Sequence, residues 1–368
     1  MSGFRVGLLG CGAIGSWLSL HLPPDVVAIC IDAERVAPEN LEVAAFGPAD
    51  LGAEKARAVA ARRRAAGGGA HALPGDVVYV FRPGMAERMD AVFLCLDNRP
   101  PIMAACDVLW EVRRDGPVLV LGCGRGAEHQ VRICLPPGTC PACTWSAAER
   151  AATGTAFSAS CMATSAPRAS ASAAEAAARA GARVLAAWRA GDRRLAGVRL
   201  QCDGGEEFAI RMPVAPEAGC PVPHEPMPVR TEMLAGPIGT VTVGALAEAA
   251  LAHVGDDADL LLGPRAVPLG GVWCATCGGI GAAPLRLLPA ALGSCPRGCH
   301  RPAARPLAER TVLGARELLG APEARLTLAA WGAGHGDVFV ASGARGRVRL
   351  ACTFAWDDLE QEALDAVA

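Results

Sequence analysis

Hydrophobic residues in the first third of the chain form short, almost continuous runs, separated by segments with helical spacing. Such runs are typical of strands that are buried on both faces of a parallel sheet. We predict helices over residues 16–22 and 51–66, and a flexible tip over residues 66–70. The predicted strands are residues 4–9, 26–31, 77–81, 91–96, 118–122 and 130–135. This alternation predicts an α/β fold with a doubly wound, Rossmann-like, mostly parallel sheet.

The middle of the chain adds a long helix and a hairpin before its composition changes. We predict a helix over residues 168–188. Residues 198–202 and 207–212, joined through Asp-Gly-Gly, are typical of a hairpin. The segment 213–229 is rich in proline, which indicates a loop between domains.

The proline-rich segment divides the chain into two predicted domains. We expect a first domain over residues 1–225 and a second, smaller, zinc-containing α/β domain over residues 226–368. In the second domain the pattern predicts a helix over residues 243–253 and strands over residues 337–341 and 347–353.

Composition and charge exclude several classes of protein. The chain has 368 residues, a net charge of −2 and only 4% aromatic residues, with no basic stripe, so nucleic acid is not an expected partner. No apolar run reaches the roughly 18 residues that cross a membrane. With no export signal at its start, we expect a cytoplasmic protein. Its sixteen cysteines are then thiols and metal ligands rather than disulfides.

A glycine-rich turn follows the first predicted strand. Gly10, Gly12 and Gly15 in GCGAIG fit the pattern G-x-G-x-x-G, which lets a phosphate approach the backbone at a helix N-terminus. Asp32 ends the next strand, where an acidic residue can bind ribose hydroxyls. Alone, this pattern is most typical of a nicotinamide-dependent dehydrogenase.

Four further residues favour a triphosphate over a hydride carrier. Lys55 is the only lysine, whereas the chain has 34 arginines; a GC-rich genome explains the scarcity but not the exception. A lysine ammonium is a compact, flexible charge suited to phosphates. Asp97 and Asn98 close an apolar strand, where a carboxylate can hold Mg²⁺. Asn40 lies between Asp32 and Lys55 in the sequence; a cap or a turn is the alternative role for it and for the Asp-Asn pair.

Two sets of cysteines have the spacing of zinc sites. Cys140 and Cys143 form one close pair, and Cys220 with His224 supplies a second, which together predict a closed Cys₃His site for Zn²⁺. The second set predicts a zinc ribbon, with His300 as an alternative to its last ligand; it comprises Cys274, Cys277, Cys295 and Cys299. A redox role for Cys274 and Cys277 is the competing interpretation.

Cys161 is the candidate nucleophile. It lies among small polar residues just before the helix predicted over residues 168–188, where the helix dipole stabilises a thiolate. A thiolate is a good acceptor for an activated acyl group. The alternative is that it packs as a small hydrophobic residue.

The motifs GCGAIG, IDAERVAPENL, LGAEKA and FLCLDN, with the cysteine pairs, resemble the ThiF/MoeB family of adenylating enzymes over residues 4–225. The resemblance implies that Asp32 holds the ATP ribose, Asn40 and Lys55 contact phosphates, and Asp97 carries Mg²⁺. The family has arginine where this chain has Val43, so a phosphate contact is missing or comes from elsewhere, such as Arg125 or a second subunit. The family also closes the zinc site with cysteine where His224 stands.

The segment around Cys161 looks like that of the activating enzyme for the ubiquitin-fold modifier. The resemblance therefore implies a homodimeric enzyme that adenylates a ubiquitin-like protein with MgATP and holds it as a thioester on Cys161. A conjugating enzyme would be a further partner, docking with the modifier on the second domain. The alternatives are adenylation of a sulfur-carrier protein or a peptide without a thioester, a dehydrogenase, and an inactive scaffold.

Overall fold

A computed structural model describes residues 3–112, 116–124, 128–153, 170–203, 210–222, 224, 230–262, 266–274, 277–288, 297, 299, 304–356 and 358. The described chain forms two compact units. The first takes in Met1–Phe81 and Met85–Pro226, and the second takes in Arg82–Gly84 and Met227–Glu362. Within these ranges, no helix is long and apolar enough to cross a bilayer.

The first unit is built around one large sheet with helices packed against it. Its strands are β1 (Phe4–Leu9), β2 (Val26–Asp32), β3 (Gly69–Pro74), β4 (Ala91–Leu94), β5 (Val118–Cys123), β6 (Glu128–Cys134), β7 (Val198–Asp203) and β8 (Ile210–Pro213). Its helices are α1 (Ala13–His21), α2 (Lys55–Ala65), α3 (Val77–Val80), α4 (Pro83–Glu87), which begins in residues of the second unit, α5 (Arg99–Glu111), α6 (Ala147–Thr153) and α7 (Ala171–Arg189).

The large sheet confirms the predicted α/β class. Its strand order is β3-β2-β1-β4-β5-β6-β7-β8. The first five strands are parallel, and β6, β7 and β8 extend the sheet in antiparallel fashion. Strand β1 from Val6 onward and the whole of β4 are buried, which explains their continuous apolar sequences.

The predicted strand over residues 77–81 is wrong. Residues Val77–Val80 form helix α3, because the Asp76 carboxylate accepts a hydrogen bond from the backbone N–H of Val78 at 2.9 Å and caps the helix. The edge strand is instead β3, which pairs with β2. The predicted flexible tip is therefore also wrong in part, because Gly69 and Ala70 begin this strand.

Arg63 joins the end of α1 to the start of β2. Its buried guanidinium donates hydrogen bonds to the carbonyl oxygens of Ser19 at 3.0 Å, Leu22 at 2.6 Å and Val26 at 2.9 Å. Carbonyls at a helix C-terminus lack partners inside the helix, so this contact satisfies them. Gly68 provides the room, since a Cβ there would lie 2.2 Å from the Arg63 Nε. Arg63 thereby holds the C-terminal end of α1, the helix that follows the glycine-rich turn, against the start of β2.

The second unit contains two smaller sheets. One has the order β14-β10-β15-β16-β9, and the other the order β12-β11-β13. Their strands are β9 (Arg230–Pro237), β10 (Asp259–Leu261), β11 (Val267–Cys274), β12 (Ile280–Gly281), β13 (Ala304–Arg310), β14 (Val312–Gly314), β15 (Val338–Gly343) and β16 (Gly346–Thr353). The helices are α8 (Val243–Val254), α9 (Ala315–Gly320) and α10 (Leu328–Trp331). The predicted helix and two strands of this unit correspond to α8, β15 and β16.

Candidate nucleotide site and metal centres

The three glycines of the turn after β1 have different structural roles. Gly10 has a φ of 92°, and a Cβ there would lie 2.6 Å from the Cys95 carbonyl oxygen. A Cβ on Gly15 would lie 2.0 Å from the Gly10 carbonyl oxygen. At Gly12, no described atom lies within 4 Å of the same position. Gly10 and Gly15 are therefore needed for packing, whereas Gly12 leaves open space at the start of α1.

Asp32 fastens the turn to the end of β2. Its Oδ2 accepts a hydrogen bond from the backbone N–H of Cys11 at 2.7 Å, and its Oδ1 accepts one from that of Glu34 at 2.8 Å. Burial raises the pKa of Asp32, while these two N–H groups and the charge of Lys55 act to lower it. The carboxylate is thus held beside the turn by both of its oxygens.

Lys55 begins α2 and is bonded twice to Glu34. Its backbone N–H donates to the Glu34 carbonyl oxygen at 2.8 Å, and its Nζ donates to Glu34 Oε2 at 2.6 Å. The Lys55 side chain is 7% exposed, whereas that of Glu34 is 45% exposed. Because the backbone of Glu34 is hydrogen-bonded to Asp32, and Asp32 to Cys11 of the glycine-rich turn, the structure brings the single lysine to that turn.

Asn40 caps a local turn. Its Oδ1 accepts a hydrogen bond from the backbone N–H of Ala37 at 2.9 Å, at the start of the short 3₁₀ helix Pro38–Glu42. This is the cap that the sequence left open as an alternative; the phosphate contact stays a prediction. Val43 offers no charge, and its carbonyl accepts from the Trp17 indole at 3.3 Å. Arg125, the suggested substitute, lies outside the described residues.

Asp97 and Asn98 follow β4 at the same edge of the sheet. Asp97 is exposed, and Asn98 is the N-cap residue of α5. Strand β1 lies between β2 and β4, so the ends of these three strands present the turn, Asp32 and Asp97 side by side. Ligands of open α/β sheets bind at this kind of crevice. The magnesium role of Asp97 remains a prediction.

The first predicted zinc site is assembled in the first unit. The donor atoms of Cys140, Cys143, Cys220 and His224 all lie within 4.8 Å of one another. The Cys140 Sγ is 3.7 Å from that of Cys143 and 3.4 Å from that of Cys220. Two thiolates on a tetrahedral zinc lie about 3.8 Å apart, given a Zn–S bond of about 2.3 Å. The residues present therefore fit Zn²⁺.

His224 is oriented for metal binding by its other ring nitrogen. Its Nε2 lies 3.2 Å from the Cys143 Sγ, while its Nδ1 lies 2.7 Å from the Gly138 carbonyl oxygen. The Trp110 indole donates to the same carbonyl at 2.8 Å and meets the imidazole edge-on. A ligating histidine commonly donates its second N–H to a carbonyl in this way.

Thiols outside the four ligands also affect this centre. A hydrogen bond from the Cys106 thiol, supported by Cys220 and Cys143 and opposed by burial, lowers the pKa of Cys140 to about 5. Burial lowers the pKa of Arg132, and the nearby thiols of Cys134, Cys140 and Cys143 act to raise it. The centre thus lies beside a buried cation. The sequence analysis identified neither Cys106 nor Arg132 as part of it.

The second predicted zinc site is described in part. The donor atoms of Cys274, Cys277 and Cys299 lie within 4.8 Å of one another, and the sulfurs of Cys274 and Cys299 are 3.6 Å apart. The backbone N–H of Gly278 donates to the Cys274 carbonyl in a tight turn. Three sulfur ligands at these distances fit Zn²⁺. Cys295, the predicted fourth ligand, and His300 lie outside the described residues.

Two further residues bear on the site, one that the sequence predicted and one that it did not. Cys161, the candidate nucleophile, lies outside the described residues, so its role stays a prediction. Glu34, which the sequence analysis did not single out, is the direct partner of Lys55. Its position two residues after Asp32 is the signal that a search for acidic pairs would have used.

The fold and the two kinds of site define an α/β protein with a nucleotide-type turn and two cysteine clusters whose geometry fits a metal ion. No model of a protein family and no curated protein matches the chain. Among solved structures, it is similar to E. coli MccB with AMPCPP and MccA, at 17% identity and a TM-score of 0.44, over 59% of this chain and 66% of that one.

A second similar structure is that of PaaA. Identity is 15% and the TM-score 0.42, over 57% of this chain and 64% of that one. Another MccB structure is described as the microcin C7 biosynthetic enzyme with N-formylated MccA, at 17% identity and a TM-score of 0.43, over 59% of this chain and 67% of that one. The chain spans about two thirds of the length of these structures.

We expect Gly12→Ala to impair nucleotide binding while leaving the fold intact. The side-chain position of Gly12 is open, and its φ of −75° with a ψ of −143° gives an alanine a small backbone strain, so the methyl group acts mainly on a bound ligand. The thermal midpoint should fall by no more than about 4 °C, whereas its rise on adding MgATP should fall by at least half. Gly15→Ala is the matched control, expected to cost about 2 kcal/mol of stability. An undiminished MgATP shift in Gly12→Ala would contradict this site.

Loss of a zinc ligand is expected to destabilise the fold. Cys140→Ser should remove one bound zinc and lower the free energy of unfolding by at least about 3 kcal/mol, because a closed metal site contributes folding energy. Zinc content and urea unfolding measure the two effects. Cys202→Ser, at a buried cysteine of β7 outside the cluster, should keep the zinc and lose about 1 kcal/mol. An equally stable, metal-free Cys140→Ser protein would refute the assignment.

Proposed function

We propose that this protein is an ATP-dependent adenylating enzyme that activates a carboxylate of a protein or peptide substrate. The observation that carries the proposal is the buried ammonium of Lys55, held by Glu34 beside Asp32 at the glycine-rich turn. A dehydrogenase needs only the turn and an acid for the ribose. A buried cation at this place adds what the phosphates of ATP require.

Each residue of the site has a distinct part in this reaction. Asp32 would bind the ribose, and the open backbone at Gly12 with the N-terminus of α1 would receive phosphate oxygens. Lys55 would turn from Glu34 toward the phosphates, since a flexible ammonium can exchange partners. Asp97 would hold Mg²⁺, which when bound offsets the charge of the departing pyrophosphate.

The chemical step is a substitution at the α-phosphorus of ATP. A carboxylate oxygen of the substrate forms a bond to this phosphorus, and the bond to the bridging oxygen of pyrophosphate breaks. The products are an acyl-adenylate and pyrophosphate, and no proton is transferred. The site needs only to position the reactants and stabilise negative charge, which matches its backbone groups and single cation.

The proposed product is the adenylate of a protein or peptide C-terminus. A sulfur-carrier protein and a peptide both fit this chemistry without a thioester. A ubiquitin-like modifier carried on Cys161, with a conjugating enzyme as partner and a homodimer as the active form, requires further residues and surfaces. An inactive scaffold, suggested by Val43, would bind ATP weakly.

We expect Lys55→Ala to weaken binding of MgATP by about 10- to 100-fold, because one charge-assisted phosphate contact is lost. Titration calorimetry with a non-hydrolysable ATP analogue and Mg²⁺ measures this change. Arg64→Ala removes an exposed cation from the same helix, and should change the affinity less than twofold. Tight NAD binding that is indifferent to both substitutions would point to a dehydrogenase instead.

Product analysis separates the fates of the adenylate. The protein and its Cys161→Ala variant are mixed with MgATP and with small proteins or peptides encoded beside it, and pyrophosphate and intact mass are followed. We expect equal pyrophosphate release from both proteins, with no thiol-labile adduct. An adduct that disappears in Cys161→Ala would establish the thioester route. Absence of pyrophosphate with every candidate, together with no MgATP binding, would overturn adenylation.

A further inference from the structure

Two arginines face each other on one side of the antiparallel part of the large sheet. Arg132 on β6 is directly opposite Arg199 on β7. Alternation along β6 places Val131 and Ile133 in the apolar core, so Arg132 and Cys134 share the other face. Like charges directly across a strand pair are destabilising. An additional negative charge is therefore needed on this face.

Arg132 is buried without a carboxylate. Arg132 is 8% exposed, and its Nη1 donates a hydrogen bond to the Pro141 carbonyl oxygen at 3.1 Å. Its Nε, like that of Arg199, is buried with no hydrogen-bond partner among the described residues. Among the described residues, no carboxylate lies within ion-pair distance of Arg132 or Arg199. Burying a guanidinium in this way is costly unless another anion offsets it.

With Zn²⁺ bound, the cluster of Cys140, Cys143, Cys220 and His224 would supply such an anion. Pro141, whose carbonyl Arg132 contacts, lies between the ligands Cys140 and Cys143, and Thr144 Oγ1 donates to the same carbonyl at 2.9 Å. Three thiolates, one neutral imidazole and Zn²⁺ carry one net negative charge. Burial and the charge of Arg199 disfavour the charged form of Arg132, and the thiols of Cys134, Cys140 and Cys143 favour it.

We propose that Arg132 is a positioning residue of the first zinc centre, bracing the Cys140–Cys143 turn and offsetting the net negative charge of the metal–thiolate group. This inference goes beyond adenylation and depends only on zinc at this centre. A charge role, unlike a packing role, depends on the charge of the centre. The contribution of Arg132 to zinc retention must therefore grow when the centre becomes more negative, as it does when His224 is replaced by cysteine.

The test compares zinc release in two backgrounds of the full-length protein. Zinc transfer to an excess of a chromogenic chelator is followed in the parent, Arg132→Gln, His224→Cys and the double variant. The phase that changes in His224→Cys belongs to this centre, which separates it from the ribbon site. We expect Arg132→Gln to accelerate release at least 10-fold in the parent, and by a factor at least three times larger in the His224→Cys background.

Other results would overturn the proposal in distinguishable ways. Parental release rates in folded Arg132→Gln, or the same acceleration in both backgrounds, would leave Arg132 with a packing role only. Absence of zinc from this centre in the purified parent would overturn the metal assignment as well, without touching ATP binding. If Arg132→Gln does not fold, zinc release from Arg132→Lys tests the proposal instead. With its charge retained, release should stay within about threefold of the parent, and a 10-fold acceleration would refute the charge role.

Discussion

The candidate nucleotide site depends on the two hydrogen bonds that the Asp32 carboxylate accepts. One comes from Cys11 in the glycine-rich turn and the other from Glu34 just beyond β2. The first fixes the turn against the end of β2, and the second fixes the backbone that presents the Glu34 side chain. Glu34 accepts hydrogen bonds from both the backbone N–H and the Nζ of Lys55. The position of the lysine therefore follows from that of Asp32. One half-buried carboxylate thus orders the turn, its acidic neighbour and the cation.

The same contacts explain why Asp32 serves as an anchor. Burial raises its pKa, which by itself would favour the neutral acid. Two backbone N–H groups and the nearby Lys55 oppose that effect by stabilising the charged form. Aspartate, rather than a neutral side chain, can accept from two donors with separate oxygens and still attract the ammonium.

The central strands were predictable from sequence because they are buried on both faces and therefore apolar throughout. The edge strand β3 was not, because its sequence, GAHALP, contains small and polar residues and resembles a loop. The apolar run that follows it was mistaken for the strand, since one capping residue, Asp76, makes that run helical. Neither error is visible in hydrophobic periodicity, which reports burial more directly than it reports backbone conformation.

The residues of the two sites also divide into those that the sequence predicted and those that it did not. The turn, Asp32, Lys55 and the ligands of the first zinc centre follow from motif and spacing. Glu34 and Arg132 do not, because their roles come from contacts with residues far away in the chain. Arg132 becomes notable only once strand register sets it opposite Arg199 and the fold brings the Cys140–Cys143 turn against it. Such long-range placement has no short sequence signal.

Arg132 and Lys55 are buried cations with different tasks, and the difference suits arginine at one position and lysine at the other. Arg132 lies in a fixed environment, where a planar guanidinium can hold one carbonyl and face one charged centre without moving. Lys55, under the proposed function, must leave Glu34 for phosphate oxygens and return when the product departs. A compact ammonium on a flexible stem suits that exchange, whereas a rigid, forked guanidinium favours a single bidentate partner. Under the proposed function, the single lysine therefore stands at a position where a buried positive charge has to change partners.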